Sequence, residues 1–265
     1  MPIISLDAIL TATRDRVAGL RAQARDLERR AAAAPEPPAF APALTGRTVG
    51  VIAEVKRRSP SAGTIRADLD PVAHAQAYAR GGAVAISVLT DEVHFGGSLD
   101  DLAHVARAVT VPVLRKDFIL DELQLYEARA AGASGVLLIV RALAPDRLRA
   151  LAAAAVGQGL GILVEVHSAA ELEVALGVGP TAVGVNSRDL ATFTVDLERA
   201  ERLVAEVPAS VPAIAESGIE TRADVERLAA AGADLVLVGT SLARTAEPAA
   251  AVRGLTGVPR QERRR

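Results

Sequence analysis

From Val49 onward the chain alternates between two patterns. A short, nearly continuous apolar run gives way to a polar or glycine-containing loop, then to an amphipathic stretch rich in Ala, Leu and Arg. Eight apolar runs recur: VGVIAEVK, AVAISVLT, VPVLRKDF, GVLLIV, GILVEVH, AVGVNS, PAIAES and LVLVGTS. Their length and β-branched content predict strands. Between them, PVAHAQAYARGGA, ELQLYEARAAGA, PDRLRALAAAAVGQ, SAAELEVALGVG and TRADVERLAAAGA predict helices. Several of these close on Gly, as helix C-termini often do. Strands apolar on both faces belong to a parallel sheet covered by helices. Eight such units over residues 49–257 fit an α/β fold of the (β/α)8 barrel type better than an open sheet. No glycine fingerprint follows the first strand, which weakens a dinucleotide-binding reading.

Residues 1–48 break the pattern. SLDAILTATRDRVAGLRAQARDLERRAAAA predicts one or two amphipathic helices, and PEPPAFAPAL leads into the first strand. This N-terminal helical extension is expected to pack on the barrel, capping one of its ends. Residues 258–265, ending in RQERRR, are expected to form a basic, disordered tail.

Composition narrows the function classes. The chain has 265 residues, is 50% hydrophobic and has a mean hydropathy of +0.26, enough for a large core. Its formal charge of −2 and pI near 6.1 leave no electrostatic footprint for nucleic acid. No apolar stretch is long enough to span a membrane, and the N-terminus lacks the apolar segment of a signal peptide. A cytoplasmic protein is expected, a monomer or at most a weak homodimer. With no cysteine, disulfides and thiolate chemistry are excluded. The four histidines lie away from one another and from carboxylates at ligand spacing, so no metal site is expected. They read as surface or loop residues.

Lysine usage changes the picture most. Lys56 and Lys116 are the only lysines; the other 28 basic residues are arginine. Arg is effectively always protonated, whereas a Lys can give up and regain a proton. Both lysines end apolar strand runs. In a (β/α)8 barrel the active site lies at the C-terminal ends of the strands. Glu54 and Lys56 end strand 1, Lys116 strand 3, Glu165 strand 5, Asn186 and Arg188 strand 6, and Glu216 and Ser217 strand 7. They converge on one mouth if the barrel closes. Ser217-Gly218 and Gly239-Thr240, after strands 7 and 8, suit a phosphate held by backbone N–H groups. The basic loop Arg57–Gly63, with Ser59, could close over an anion. Phe95 and Phe118 follow strands 2 and 3, as core or as pocket walls.

At these residues the chain resembles the indole-3-glycerol phosphate synthase family. IAEVKRRSPSAGTI matches that family's first strand and loop. ISVLTDEVHFGGSLDDL, VPVLRKDFILDELQLYEARAAGAS, LVEVHS, VGVNSRDLATFTVDL, AESGI and VGTSL follow in the family's order. Arg57, Arg58 and Ala62 in loop 1, His94 and Thr240 depart from its pattern. The resemblance implies ring closure, decarboxylation and dehydration of 1-(2-carboxyphenylamino)-1-deoxyribulose 5-phosphate, with neither metal nor pyridoxal cofactor. It makes Lys116 the general acid, its pKa expected to be lowered by burial and by Lys56 as a second cation. Lys56 contacts the substrate carboxylate or phosphate, Glu165 serves as base or proton shuttle, and Glu54 orients Lys116. Asn186 and Arg188 hold hydroxyls or the anthranilate carboxylate, with Glu216 in the same polar shell. Ser217, Gly218, Gly239 and Thr240 bind phosphate. Phe95, Phe118, Leu137 and Leu190 line the anthranilate pocket. Another phosphate-binding barrel, such as phosphoribosylanthranilate isomerase, is disfavoured by the missing cysteine and by Glu-x-Lys on strand 1. A non-catalytic sugar-phosphate binder and a paralogue in a specialised indole pathway remain alternatives.

Overall fold

The computed structural model describes residues 5–189 and 192–263. Eight parallel strands close on themselves: β1 (Gly50–Val55), β2 (Ala85–Leu89), β3 (Val113–Lys116), β4 (Gly135–Ile139), β5 (Gly161–Val166), β6 (Ala182–Asn186), β7 (Ala213–Glu216) and β8 (Leu235–Val238). Each pairs with its sequence neighbours, and β8 returns to β1 with Leu237 opposite Ile52. All eight expected strands are present, within three residues of the apolar runs.

The two-residue strand period sorts side chains into two cores. Val51, Ala53, Ile86, Val88, Val136 and Leu138 point outward and pack under the helices. Ile52, Ala85, Leu114, Leu137, Leu163, Ala182, Ile214 and Leu235 point inward and fill the lumen. Both faces are therefore dry, which is why the strands read as unbroken apolar runs.

The N-terminal extension is a brace rather than a cap on one end. Its first helix, Leu6–Leu20, starts on Ser5, whose hydroxyl accepts the Ala8 N–H at 3.2 Å. Ile9 and Leu10 join the lumen cluster near the barrel mouth, and Arg16 reaches Asp117 just past β3 at 2.8 Å. The second helix, Ala24–Ala33, lies along the helix Glu122–Ala130, where Arg129 donates to the carbonyls of Ala34 and Pro35. Phe40 then plugs the base. It occupies the space that side chains at Gly135 and Gly161 would need; a Cβ at Gly161 would sit 2.6 Å from its ring. The extension thus touches both ends of the barrel.

The C-terminal segment corrects an expectation. Residues 258–263 are anchored, not disordered. Val49 N–H donates to Val258 O at 2.8 Å, and Arg260 pairs with Asp234. Arg263 is buried, bonded to Asp234 at 2.6 Å and to Val211 O at 2.7 Å. A buried carboxylate at the barrel base needs cations, and this basic segment supplies them. Among the described residues no helix is long and apolar enough to cross a membrane.

Candidate active site

The inward positions change character at the C-terminal ends of the strands. Below them the lumen is aliphatic; here it carries Glu54, Lys116, Glu165, Asn186 and Glu216, each from a different strand. Glycine makes the crowding possible. A Cβ on Gly184 of β6 would collide with the Glu216 carboxylate, so only Gly lets that side chain turn inward. Gly239 has an ordinary negative φ, and its constraint is contact. A Cβ there would lie 2.5 Å from Glu54 Oε1 and 3.0 Å from Lys56 Nζ.

Two ion clusters result. Lys56 Nζ lies 2.7 Å from Glu54 Oε1, and the Ser87 hydroxyl donates to Glu54 Oε2 at 3.4 Å. Lys116 Nζ sits 3.2 Å from Glu165 Oε2 and 3.3 Å from Glu216 Oε2. Glu165 is bonded also to Asn186. All three carboxylates are almost fully buried.

Their environments pull the acids apart. Burial and the nearby charges of Glu165 and Glu54 push the Glu216 carboxyl up to about 8, with Lys116 offsetting part of this. Glu165 ends below the usual carboxylate range: burial would raise it, but Lys116, His167 and the Asn186 hydrogen bond outweigh that. Glu54 is likewise lowered, because Lys56 and Lys116 overcome its burial. Lys116 runs against expectation. Burial alone would lower it, but Glu216, Glu165 and Glu54 together hold it well above the normal lysine value. The second cation, Lys56, spends its charge on Glu54 instead of depressing Lys116. One carboxylic acid and one charged lysine therefore stand side by side near neutral pH, the separation that acid–base chemistry requires.

These groups floor a cavity of about 320 Å³, in the range of small-ligand sites. Lys56, Lys116, Glu54, Glu165, Asn186 and Glu216 line its polar floor. Phe95, Phe118 and Leu137 form an apolar wall, with the two rings 6.2 Å apart. Ser217, Gly218, Gly239 and Thr240 line the opposite rim, with Arg188 and Ser59 beside them. Ser217 and Gly218 are both left-handed (φ 70° and 71°), and Ser241 Oγ ties the two rim loops by donating to Ile219 O at 3.1 Å. The half-buried Arg188 guanidinium donates to Phe193 O at 2.9 Å, and burial lowers its pKa. Leu190 lies outside the described residues.

Sequence reasoning overlooked Leu89, Ile139, Phe193 and Arg244, which also line the cavity. Leu89 and Ile139 were within reach, being two residues beyond inward-facing Ser87 and Leu137. Phe193 and Arg244 carried no local signal. The histidines are a second correction. His74, His94 and His167 are buried, and His94 lies in the short helix Glu92–Phe95. Asp91 caps that helix through the His94 N–H and draws the ring inward. No metal-binding cluster occurs among the described residues.

Comparison with known proteins bears on this site. A family model described as "Indole-3-glycerol phosphate synthase" matches residues 6–255. A protein of that name from Dehalococcoides mccartyi (strain CBDB1) is 50% identical over 225 residues, 83% of this chain and 87% of its own. One from Mycobacterium avium (strain 104) is 46% identical, covering 96% and 94%. "Indole-3-glycerol phosphate synthase 2" of Streptomyces coelicolor is 48% identical over 90% and 92%. Among solved structures, the 3-hexulose-6-phosphate synthase of Salmonella typhimurium superposes with a TM-score of 0.60 at 16% identity, covering 78% of this chain and 96% of that one. At that identity the likeness is one of fold.

Proposed function

The chain belongs to the indole-3-glycerol phosphate synthase family, and on that premise we propose how its residues divide the reaction. It is an indole-3-glycerol phosphate synthase, a carboxy-lyase of tryptophan biosynthesis. Its substrate is phosphorylated: 1-(2-carboxyphenylamino)-1-deoxyribulose 5-phosphate. The ring carbon bearing the carboxylate attacks the C2′ carbonyl, CO2 departs, and water is then lost across C1′–C2′.

Lys116 is the acid at the C2′ oxygen. The observation that carries this role is its placement between Glu165 and Glu216 at the floor of the cavity. Its raised pKa keeps it charged in the resting site, so it polarises the carbonyl first. The alkoxide that forms is more basic than an amine and takes the proton in the transition state. Glu165 accepts the C1′ proton during dehydration, and its contact with Lys116 lets that proton return. Glu216, raised to about 8, holds a proton of its own beside Lys116 and so takes a larger part than the polar-shell role expected from sequence. Glu54 fixes Lys56, which faces the substrate carboxylate or phosphate. Asn186 and Arg188 hold hydroxyls or the anthranilate carboxylate. Ser217, Gly218, Gly239 and Thr240 present backbone N–H groups to the phosphate, with Ser59 closing from loop 1. Phe95, Phe118 and Leu137 press the anthranilate ring toward C2′, a contribution of proximity.

In this reading the chain acts as a monomer or at most a weak homodimer, and it works in the cytoplasm without nucleic acid or membrane. The test is to mix the purified protein with the carboxyphenylamino-deoxyribulose phosphate and follow indole fluorescence. Turnover that vanishes in Lys116→Arg supports the assignment. Absence of turnover by the unaltered protein, with substrate bound, defeats it.

A further inference from the structure

Beside Glu165, but not among the residues lining the cavity, sits His167, which the roles above do not use. Its Nε2 lies 3.7 Å from Glu165 Oε1, and its Nδ1 lies 3.4 Å from Glu171 Oε2. Neither nitrogen has a hydrogen-bond partner in this arrangement. The ring is nonetheless held. Glu171 accepts the His167 backbone N–H at 2.7 Å, and Arg141 Nε donates to Glu171 at 2.9 Å. Arg141 also reaches Asp189, at 3.3 Å. Side-chain exposure rises along this line, from 0% at His167 to 18% at Glu171 and 29% at Arg141. The line therefore runs from the closed site to solvent.

A histidine between two carboxylates has a particular chemistry. In either neutral tautomer one ring nitrogen is an N–H and the other a lone pair. The lone pair then faces a carboxylate oxygen, which repels it unless one more proton is present. The trio Glu165–His167–Glu171 is thus a place for one shared, extra proton. The other groups facing Glu165 are Lys116 from β3, Glu216 from β7 and Asn186 from β6. His167 is faced by Glu165 and Glu171. Burial would raise the Glu171 carboxyl, but hydrogen bonding at His167 and Arg141 holds it down at about 2.

The proposed reaction needs such a proton. Carrying the C2′ oxygen off as water takes two protons, and C1′ returns one. With the substrate carboxylate ionised, each turnover consumes one proton. Lys116 and Glu165 can exchange a proton between themselves but cannot make one. Resting on the functional reading above, we propose that His167, held by Glu171, is the positioning residue through which the consumed proton reaches Glu165. The imidazolium gives its Nε2 proton to Glu165 Oε1, and Glu165 restores the Lys116 ammonium. The neutral ring, still N–H at Nδ1, then turns to carry that proton to the Glu165 side and present its bare nitrogen to Glu171, where a solvent proton restores the imidazolium. Apo spacings of this kind commonly tighten only when substrate is bound.

The experiment is a pH profile of kcat and KM, by indole fluorescence, for the unaltered protein, His167→Gln and Glu171→Gln. His167→Gln is expected to lower kcat by about 10- to 100-fold, with KM within about twofold. The gap should widen as pH rises, because delivery from bulk solvent weakens as protons become scarce. Glu171→Gln should show the same trend with a smaller loss. A His167→Gln kcat within about twofold of the unaltered protein, or a gap that is the same at every pH, overturns the proposal. If His167→Gln does not fold, Glu171→Gln decides alone, since its side chain reaches the surface; a pH-independent rate ratio for it overturns the proposal. Failure of the unaltered protein to form indole product would instead strike the functional reading.

Discussion

One peptide bond separates Arg115 from Lys116, and the two cations serve opposite regions of the barrel. Arg115 points outward from β3, between the sheet and the helix Glu122–Ala130. It is fully buried and bonded to Thr90, the Gln124 carbonyl, Asp117 and Glu127. Lys116 points inward and meets Glu165, Glu216 and the cavity. On the outer wall every charge is spent on protein, in a planar fork that suits Arg. At the mouth Lys116 is shared between Glu165 and Glu216, and part of its surroundings is left to a ligand. The difference separates a structural ion cluster from a reactive one better than burial does, since both are buried.

The strongest way to break this contrast is to make the inner cation resemble the outer one. Lys116→Arg keeps the charge but removes a transferable proton, so kcat should fall by about 10³-fold or more, roughly 4 kcal/mol of barrier, with KM changed only a few-fold. Steady-state kinetics check this, and a variant near wild-type rate would place the acid elsewhere. The converse change should act on stability alone. Arg115→Met strands the buried Glu127 and leaves Asp117 to Arg16 and Thr90, and should cost about 3 kcal/mol in urea unfolding, while kcat of the folded fraction stays within a few-fold.

A milder test touches the rim. Thr240→Glu sets a carboxylate where phosphate is proposed to bind, and KM should rise about tenfold or more with a smaller change in kcat. An unchanged KM would move the phosphate site. The pH dependence of the inner cluster sharpens the picture further. Glu216 is protonated below about 8 and ionises above it. If its proton is used, kcat/KM should decline as pH rises through that value, and Glu216→Gln should flatten this alkaline limb while lowering the plateau. The smallest effect belongs to Arg16, which ties the N-terminal helix to Asp117 on the outer cluster. Arg16 is about one-third exposed, so Arg16→Ala should cost only about 1 kcal/mol. Thermal melts and KM would show whether the brace also steadies Phe118 and the apolar wall.

Much of the site was legible because a (β/α)8 barrel turns sequence position into spatial position. Glu54, Lys116, Glu165, Asn186 and Glu216 end different strands, and a closed parallel barrel has only one end at which they can meet. The conspicuous use of lysine at 56 and 116 pointed to the same end. What local pattern missed came from the turns and contacts that exist only in the folded chain. His167 looked like a loop histidine because its carboxylate neighbours become neighbours only when β5 turns into the helix Ala169–Leu176. Residues 258–263 looked like a frayed tail because nothing nearby reveals that Asp234 is buried at the barrel base.

By itself the sequence determined the strand and helix order, the closure of the barrel and the list of groups at its mouth, since period and spacing along the chain encode these. Only the tertiary structure decided the state of those groups. Lys116 was expected to be an amine eased toward neutrality by burial and a second cation. Instead the charges of Glu165 and Glu54, joined by Glu216 where that acid is ionised, keep it charged, while Lys56 is taken up by Glu54. A pKa is set by the balance of desolvation against every charge within a few ångströms. Those distances exist only after eight strands have closed and glycines at 184 and 239 have let the side chains crowd together.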